Sequence, residues 1–285
     1  MGDLFCGCGV VALAAIGVFL LTLRAVHGWS SRSCNLLGTL VVTAMVYYVL
    51  EFWYDARLAR WLPTSSLIVV GNWLPLGAAV LAALVWKQSQ GPLWRRSFTA
   101  GLLSATAAFG LIYPLLGRPP ECGDQWDING SCNQTTEYTC SPAAAATLLK
   151  LHGIESSERE MAELCLTRHG TSWPGLYRGL KLKTAGTKWD VEVLSCSATE
   201  LAKHRGPMIL SVGLERGARV DANFSRETGW VAGVNHSVVL QHFTRYGAAE
   251  ILDPSQPFCR EQWDPQTMRI LWRGLAIRFV ERNRL

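Results

Sequence analysis

No phosphate-binding loop of the form Gly-x-x-x-x-Gly-Lys-Ser/Thr occurs in the 285 residues, and that absence excludes the commonest nucleotide-hydrolysing machinery. Basic charge is missing where nucleic acid would need it. Of the 27 Lys and Arg residues eight lie in residues 1–118, with three of the 22 acids, so residues 119–285 hold 19 of each sign and no basic run. A neutral domain offers no electrostatic footprint for a phosphate backbone. Neither nucleic acid nor a nucleotide is an expected partner. The first apolar stretch lacks the basic start of a secretory signal and carries only Asp3, which argues against cleavage and for a retained span. Cys6 and Cys8, in Cys-Gly-Cys-Gly, are too closely spaced for a typical zinc site. No metal and no cofactor is implied.

What is present divides the chain in two. Apolar residues make up 49% of it, yet four long apolar stretches, about 4–23, 36–52, 67–86 and 98–116, fill the first 118 residues. Each approaches the roughly 20 residues that cross a bilayer core, and Tyr47, Trp53, Trp61, Trp86 and Trp94 collect near their ends, where headgroups lie. Residues 1–118 are therefore expected to form a bundle of four transmembrane helices with the lipid bilayer as partner. Arg24 and Arg32 follow the first span and Lys87, Arg95 and Arg96 the third, against Arg57 and Arg60 in the intervening loop. That bias places the first and third loops inside and residues 119–285 outside the cytoplasm.

One cysteine in the second part is mounted as a nucleophile is. Gln-Thr-Thr-Glu-Tyr-Thr-Cys-Ser-Pro at 134–142 runs into Ala-Ala-Ala-Ala-Thr-Leu-Leu, which puts Cys140 at the mouth of a helix. The unsatisfied N–H groups and the dipole there favour a thiolate, lowering a thiol pKa into the range of roughly 3.5 to 7.5. Pro142 fits the first helical turn. Helices are expected at 142–152, at 157–166 behind the Ser157–Glu160 capping signal, at 174–184 and at 198–204. Strands are expected at 191–194, 208–212, 237–243, 249–252 and 275–280. This order reads as α+β, a helical layer against a largely antiparallel sheet.

A cysteine nucleophile needs a base. Among six histidines, His27 lies in a membrane loop, His152 and His169 precede glycines at turns, and His204 ends a short helix. His236 and His242 lie on a strand, and His236, at the strand entrance after a glycine-containing turn, has the better reach. Asp253 ends the next strand and is suited to orient an imidazole, although Asp-Pro is also a turn-former. Gln134 is suited to donate to an oxyanion beside the Cys140 backbone N–H.

Together, QTTEYTCSPAAAATLL, GTSWPGLYRGLK, NHSVVL and ILDP resemble the bacteriocin-processing cysteine peptidases, papain-like enzymes that cut after paired glycines in leader peptides. The resemblance covers most of residues 133–280. It implies a papain-like peptidase domain in residues 119–285, with Cys140 as nucleophile, His236 as base, Asp253 as its orienting partner, Gln134 as oxyanion donor and a peptide or protein substrate. Two departures stand out: Ser141 occupies a position where that family usually has glycine, and the membrane spans precede the peptidase region, with no ATPase motif. Alternative readings are a non-catalytic peptide-binding or sensor module and an acyl or peptidyl transferase using the same thioester. Cys122 and Cys132 bracket a polar, glycine-containing loop and are expected to pair in an oxidising compartment.

Overall fold

Unbroken apolar runs fold the first part of the chain as helices: α1 (Gly2–Ala25), α2 (Ser31–Glu51), α3 (Leu67–Val70), α4 (Leu74–Gln88) and α5 (Leu93–Ile112). The computed structural model describes residues 1–53, 55–89, 92–218, 230–255 and 259–282, and the chain divides into two compact units, Met1–Gly117 and Arg118–Leu285. Among the described residues of the first unit four helices are long and apolar enough to cross a membrane: Gly2–Ala25, Ser31–Glu51, Leu67–Gln88 and Leu93–Leu115. All four expected spans are therefore helical. The third is interrupted at Gly71-Asn72-Trp73, which the apolar pattern did not foretell. There the Asn72 amide donates to the Gly110 carbonyl at 3.2 Å and accepts from the Leu74 N–H at 3.2 Å, while the Tyr48 hydroxyl donates to the Gly71 carbonyl. Backbone groups released by a break in an apolar setting need such partners.

Cohesion within that unit comes from small residues and helix ends. A Cβ at Gly77 on α4 would sit 2.6 Å from the Met45 sulfur on α2, so a larger residue there would have to displace the Met45 side chain. Lys87, at the end of α4, donates to the Trp29 carbonyl at 2.7 Å and to the Val26 carbonyl, satisfying acceptors just beyond α1.

Residues 118–285 fold as a helical layer on an antiparallel sheet, the expected α+β arrangement. The helices come first: α6 (Cys140–Leu151), α7 (Glu158–Leu164) and α8 (Trp173–Lys183). Ser157 caps α7 by accepting from the Glu160 N–H, and Ser172 caps α8 by accepting from the Gly175 N–H. After β1 (Trp189–Ser195) and α9 (Ala198–Leu201) come β2 (Met208–Gly213), β3 (Asn235–Phe243), β4 (Ala249–Leu252), β5 (Glu261–Trp263), α10 (Pro265–Leu271) and β6 (Trp272–Glu281). The spatial order is β1-β6-β2-β3-β4-β5, with every neighbouring pair antiparallel. β5 and α10 were not expected, because a three-residue strand carries no alternation to read.

α6 packs against β2 and β3, and its residues from Ser141 to Leu149 are all buried. Such a helix must be small or apolar on every side, which is what Ala143 to Ala146 and Leu148–Leu149 provide. The opposite face of the sheet is covered by a core including Leu210, Val212, Val238, Leu240, Met268 and Leu271. Buried on both faces, β2 reads as a continuous run, Met-Ile-Leu-Ser-Val-Gly. The first residue of α6 and the first residues of β3 thereby belong to elements packed against one another.

The expected Cys122–Cys132 bridge does not form. Both cysteines are buried free thiols. Polar bonds close the loop instead: one Asp127 carboxylate oxygen accepts from the Asn129 N–H at 2.9 Å and the Ser131 N–H at 2.7 Å, and the Cys132 N–H donates to the Thr147 hydroxyl at 2.9 Å. The two thiols turn to different acceptors, the Pro120 and Asn133 carbonyls. Burial, with the nearby Glu158 charge, pushes Cys122 up to about 11 and Cys132 up to about 12.

Candidate active site

The four residues singled out in the sequence come together where α6 begins and where β3 and the β4 exit meet. Cys140 is the first residue of α6, and no side chain caps that helix start, so the dipole end is left to act on the sulfur. His236 is the second residue of β3 and Asp253 follows directly after β4. Antiparallel pairing of β3 with β4, with Val239 opposite Leu252, brings the two side chains together. His236 Nε2 lies 2.8 Å from Asp253 Oδ1. The same carboxylate oxygen accepts the Ser255 N–H at 2.7 Å, so Asp253 both closes the Asp-Pro-Ser turn and binds the imidazole.

With Nε2 held by Asp253, the other side of the ring serves the sulfur. Burial pushes the Cys140 thiol up, but its hydrogen bond with His236, the imidazolium charge, the Ser237 backbone N–H and the Ser141 hydroxyl together bring it below its ordinary 9.0. Burial opposes protonation of His236, yet hydrogen bonds to Asp253 and Cys140 and the charges of both raise it from 6.5 to about 10. These opposite shifts run in the sense of a thiolate–imidazolium pair, with Asp253 the first support of the imidazolium and His236 the first support of the thiolate.

Gln134 lies at the same place but faces its own loop. Its amide nitrogen donates to the Thr136 carbonyl at 3.1 Å, its amide oxygen accepts from the Ser255 hydroxyl at 3.2 Å, and its backbone N–H donates to the Pro254 carbonyl at 2.8 Å. An amide nitrogen has two N–H groups, and the Thr136 contact uses one. The loop is secured from beneath by Glu158, which is wholly buried. Its carboxylate accepts the Thr135 N–H at 2.7 Å and the Thr135 hydroxyl.

Three contributors were missed in the sequence. Ser255 reaches both Gln134 and His236 Nε2, the latter at 3.3 Å. Its position after Asp-Pro was a readable turn signal, though not a signal of contact with Gln134, 121 residues away. Trp230 lays its ring edgewise on the His236 imidazole, with centroids 5.7 Å apart, and on Trp263 at 6.0 Å. The Ser237 hydroxyl lies 2.8 Å from that of Ser141. Two histidines set aside earlier are occupied elsewhere: His152 packs its ring edge against Trp189 and Phe279, and His169 stacks edgewise on Tyr138. Among the described residues no group of His, Cys, Asp and Glu is arranged to hold a metal ion.

Neither protein-family models nor curated proteins give a match to this chain. Among solved structures it is similar to the peptidase domain of Streptococcus ComA, a bifunctional ABC transporter of a quorum-sensing pathway. The identity is 19% over 53% of this chain and 96% of that one, with a TM-score of 0.41. It is also similar to a double-glycine motif protease from an AMS/PCAT transporter, solved with its leader peptide, at 18% identity over 52% and 89% of the two chains and a TM-score of 0.40. A periplasmic domain of the EpsAB fusion protein of the Vibrio vulnificus type II secretion system matches at 15% identity over 50% and 47%, with a TM-score of 0.31.

Proposed function

We propose that this chain is a membrane-anchored cysteine peptidase, with a papain-like domain in residues 119–285 that hydrolyses peptide bonds. The observation that carries the reading is the contact of His236 with Asp253 at 2.8 Å, beside a cysteine at a helix start whose thiol His236 helps bring below its ordinary value. The Cys140 thiolate attacks the carbonyl carbon of the scissile peptide. The resulting oxyanion is received by the Cys140 N–H and the remaining amide N–H of Gln134, an interaction of a type worth about 2.7 to 4 kcal/mol. His236 donates its proton to the leaving amine, then removes a proton from the water that opens the thioester. Asp253 keeps the imidazole in the tautomer and orientation that both transfers need.

Alkylation by a thiol-directed electrophile tests this directly on the full-length chain. Cys140 is expected to react ahead of the other eight cysteines, and His236→Ala to remove that preference. Equal labelling of Cys140 in both proteins overturns the mechanism. The four spans and the distribution of Lys and Arg around them support an outward-facing catalytic unit. Protease added to intact spheroplasts is expected to cleave residues 119–285, and protection of that segment reverses the orientation.

A further inference from the structure

A serine follows Cys140, and a serine follows His236. Alternation along β3 turns Ser237 away from the face of Val238 and Leu240 and towards α6. There its hydroxyl oxygen lies 2.8 Å from that of Ser141. Ser141 is 6% exposed and Ser237 3%, so little water reaches either group. The Ser237 backbone N–H is also one of the groups that favour the Cys140 thiolate. The two hydroxyls own two protons, and only one lies between the oxygens. When Ser237 supplies it, Ser141 is free to aim its own proton at the Cys140 sulfur, 4.0 Å away.

We propose that Ser141 and Ser237 form a hydroxyl clamp that fixes the Cys140 sulfur against the His236 imidazole and points a donor at that sulfur. They are positioning residues; neither contacts a reacting carbonyl. The clamp rests on the reading of Cys140 and His236 as the reacting couple. It also gives the serine at position 141 a purpose, since glycine, usual there in the peptidases this region resembles, has no hydroxyl to contribute.

The test is the pH dependence of Cys140 alkylation by iodoacetamide in the full-length protein in detergent, read at the Cys140 peptide by mass spectrometry. Ser141→Gly and Ser237→Ala are each expected to move the acid limb of the rate profile upward by about half a pH unit, or about threefold slower alkylation on the acid side. The double variant is expected to shift no further than either single, because all three lack the same bond. Ser237→Thr, which keeps the hydroxyl, is expected to retain the original limb. Unmoved limbs in the single variants, or shifts that add in the double, overturn the clamp. The two single variants break the bond from opposite sides, so a folding failure in one leaves the other to decide. A His236→Ala arm separates the two claims. If its limb matches that of the unaltered protein, the Cys140–His236 reading itself falls; if His236 lowers the limb and the serines do not, only the clamp falls.

Discussion

The two halves of the site are held by different forces. On one side Cys140 begins α6, buried from Ser141 to Leu149, and His236 lies at the start of β3, buried from Ser237 to Leu240, so packing locates them. On the other, Gln134, Asp253 and Ser255 sit in connecting segments stitched by directed polar bonds: Gln134 N–H to Pro254 at 2.8 Å, Ser255 N–H to Asp253 at 2.7 Å and the Cys259 thiol to the Asn133 amide oxygen at 3.5 Å. Burial is non-directional and tolerates conservative change, whereas a hydrogen bond depends on the particular atom that makes it. In the proposed mechanism the packed half provides the reactive pair, and the polar half sets its orientation.

That contrast is sharpened first by removing the nucleophile. Cys140→Ala is expected to reduce peptide hydrolysis about a million-fold, the scale on which loss of a hydrolase nucleophile is felt, while circular dichroism stays unchanged. Asp253→Asn should follow with a loss of about ten-thousandfold in kcat, since it favours the wrong imidazole tautomer; a loss below tenfold would mean that packing alone orients His236. Gln134→Ala is expected to lower kcat by about a hundredfold to a thousandfold with little change in KM. A change confined to KM would place Gln134 in substrate binding instead. Glu158→Gln, assayed by chemical denaturation, should cost about 1–3 kcal/mol through the weakened Thr135 contacts, and thereby show how much the polar half depends on one buried carboxylate.

The smallest effect expected is on stability at alkaline pH. His236 is raised from 6.5 to about 10, so its contribution is complete below 6.5 and is lost as the pH rises through about 10. Cys140 is lowered from 9.0, so its contribution is complete above 9.0 and is lost as the pH falls through the folded value. As the pH approaches 9.0 from below the two slopes oppose each other. Above 9.0 only the histidine loss remains, and stability falls. Denaturation at a series of pH values, compared with the Cys140→Ala/His236→Ala double variant, checks this; a difference that keeps growing above 9.0 contradicts the ion pair.

The packed half was the more legible in the sequence. Helix and strand periodicity placed Cys140 at a helix mouth and His236 at a strand entrance, and of the polar half only Asp253, at a strand end, because each of these signals is local. The four spans were readable from length and apolar content, and the break at Asn72 was hidden because Gly71-Asn72-Trp73 interrupts that content so briefly. Hydrogen bonds between side chains distant in sequence left no such trace in either half. Ser141 meets Ser237 across 96 residues and Ser255 meets Gln134 across 121, and a hydroxyl carries no periodic pattern that points to its partner. The Cys122–Cys132 expectation failed for a related reason: the spacing suited a bridge, but Asp127 closes the loop with backbone N–H groups.

The position of β6 has a consequence in time. β6, Trp272–Glu281, lies between β1 and β2, pairing Trp189 with Glu281 and Met208 with Arg278. It follows every site residue in chain order. A nascent chain about 260 residues long already carries Cys140, His236 and Asp253, yet β1 and β2 still lack the strand that joins them. Pairing across so great a sequence separation is slow to form, so the sheet on which α6 packs is closed late. Synthesis thus leaves the sheet behind Cys140 and His236 incomplete until the rest of this unit has emerged.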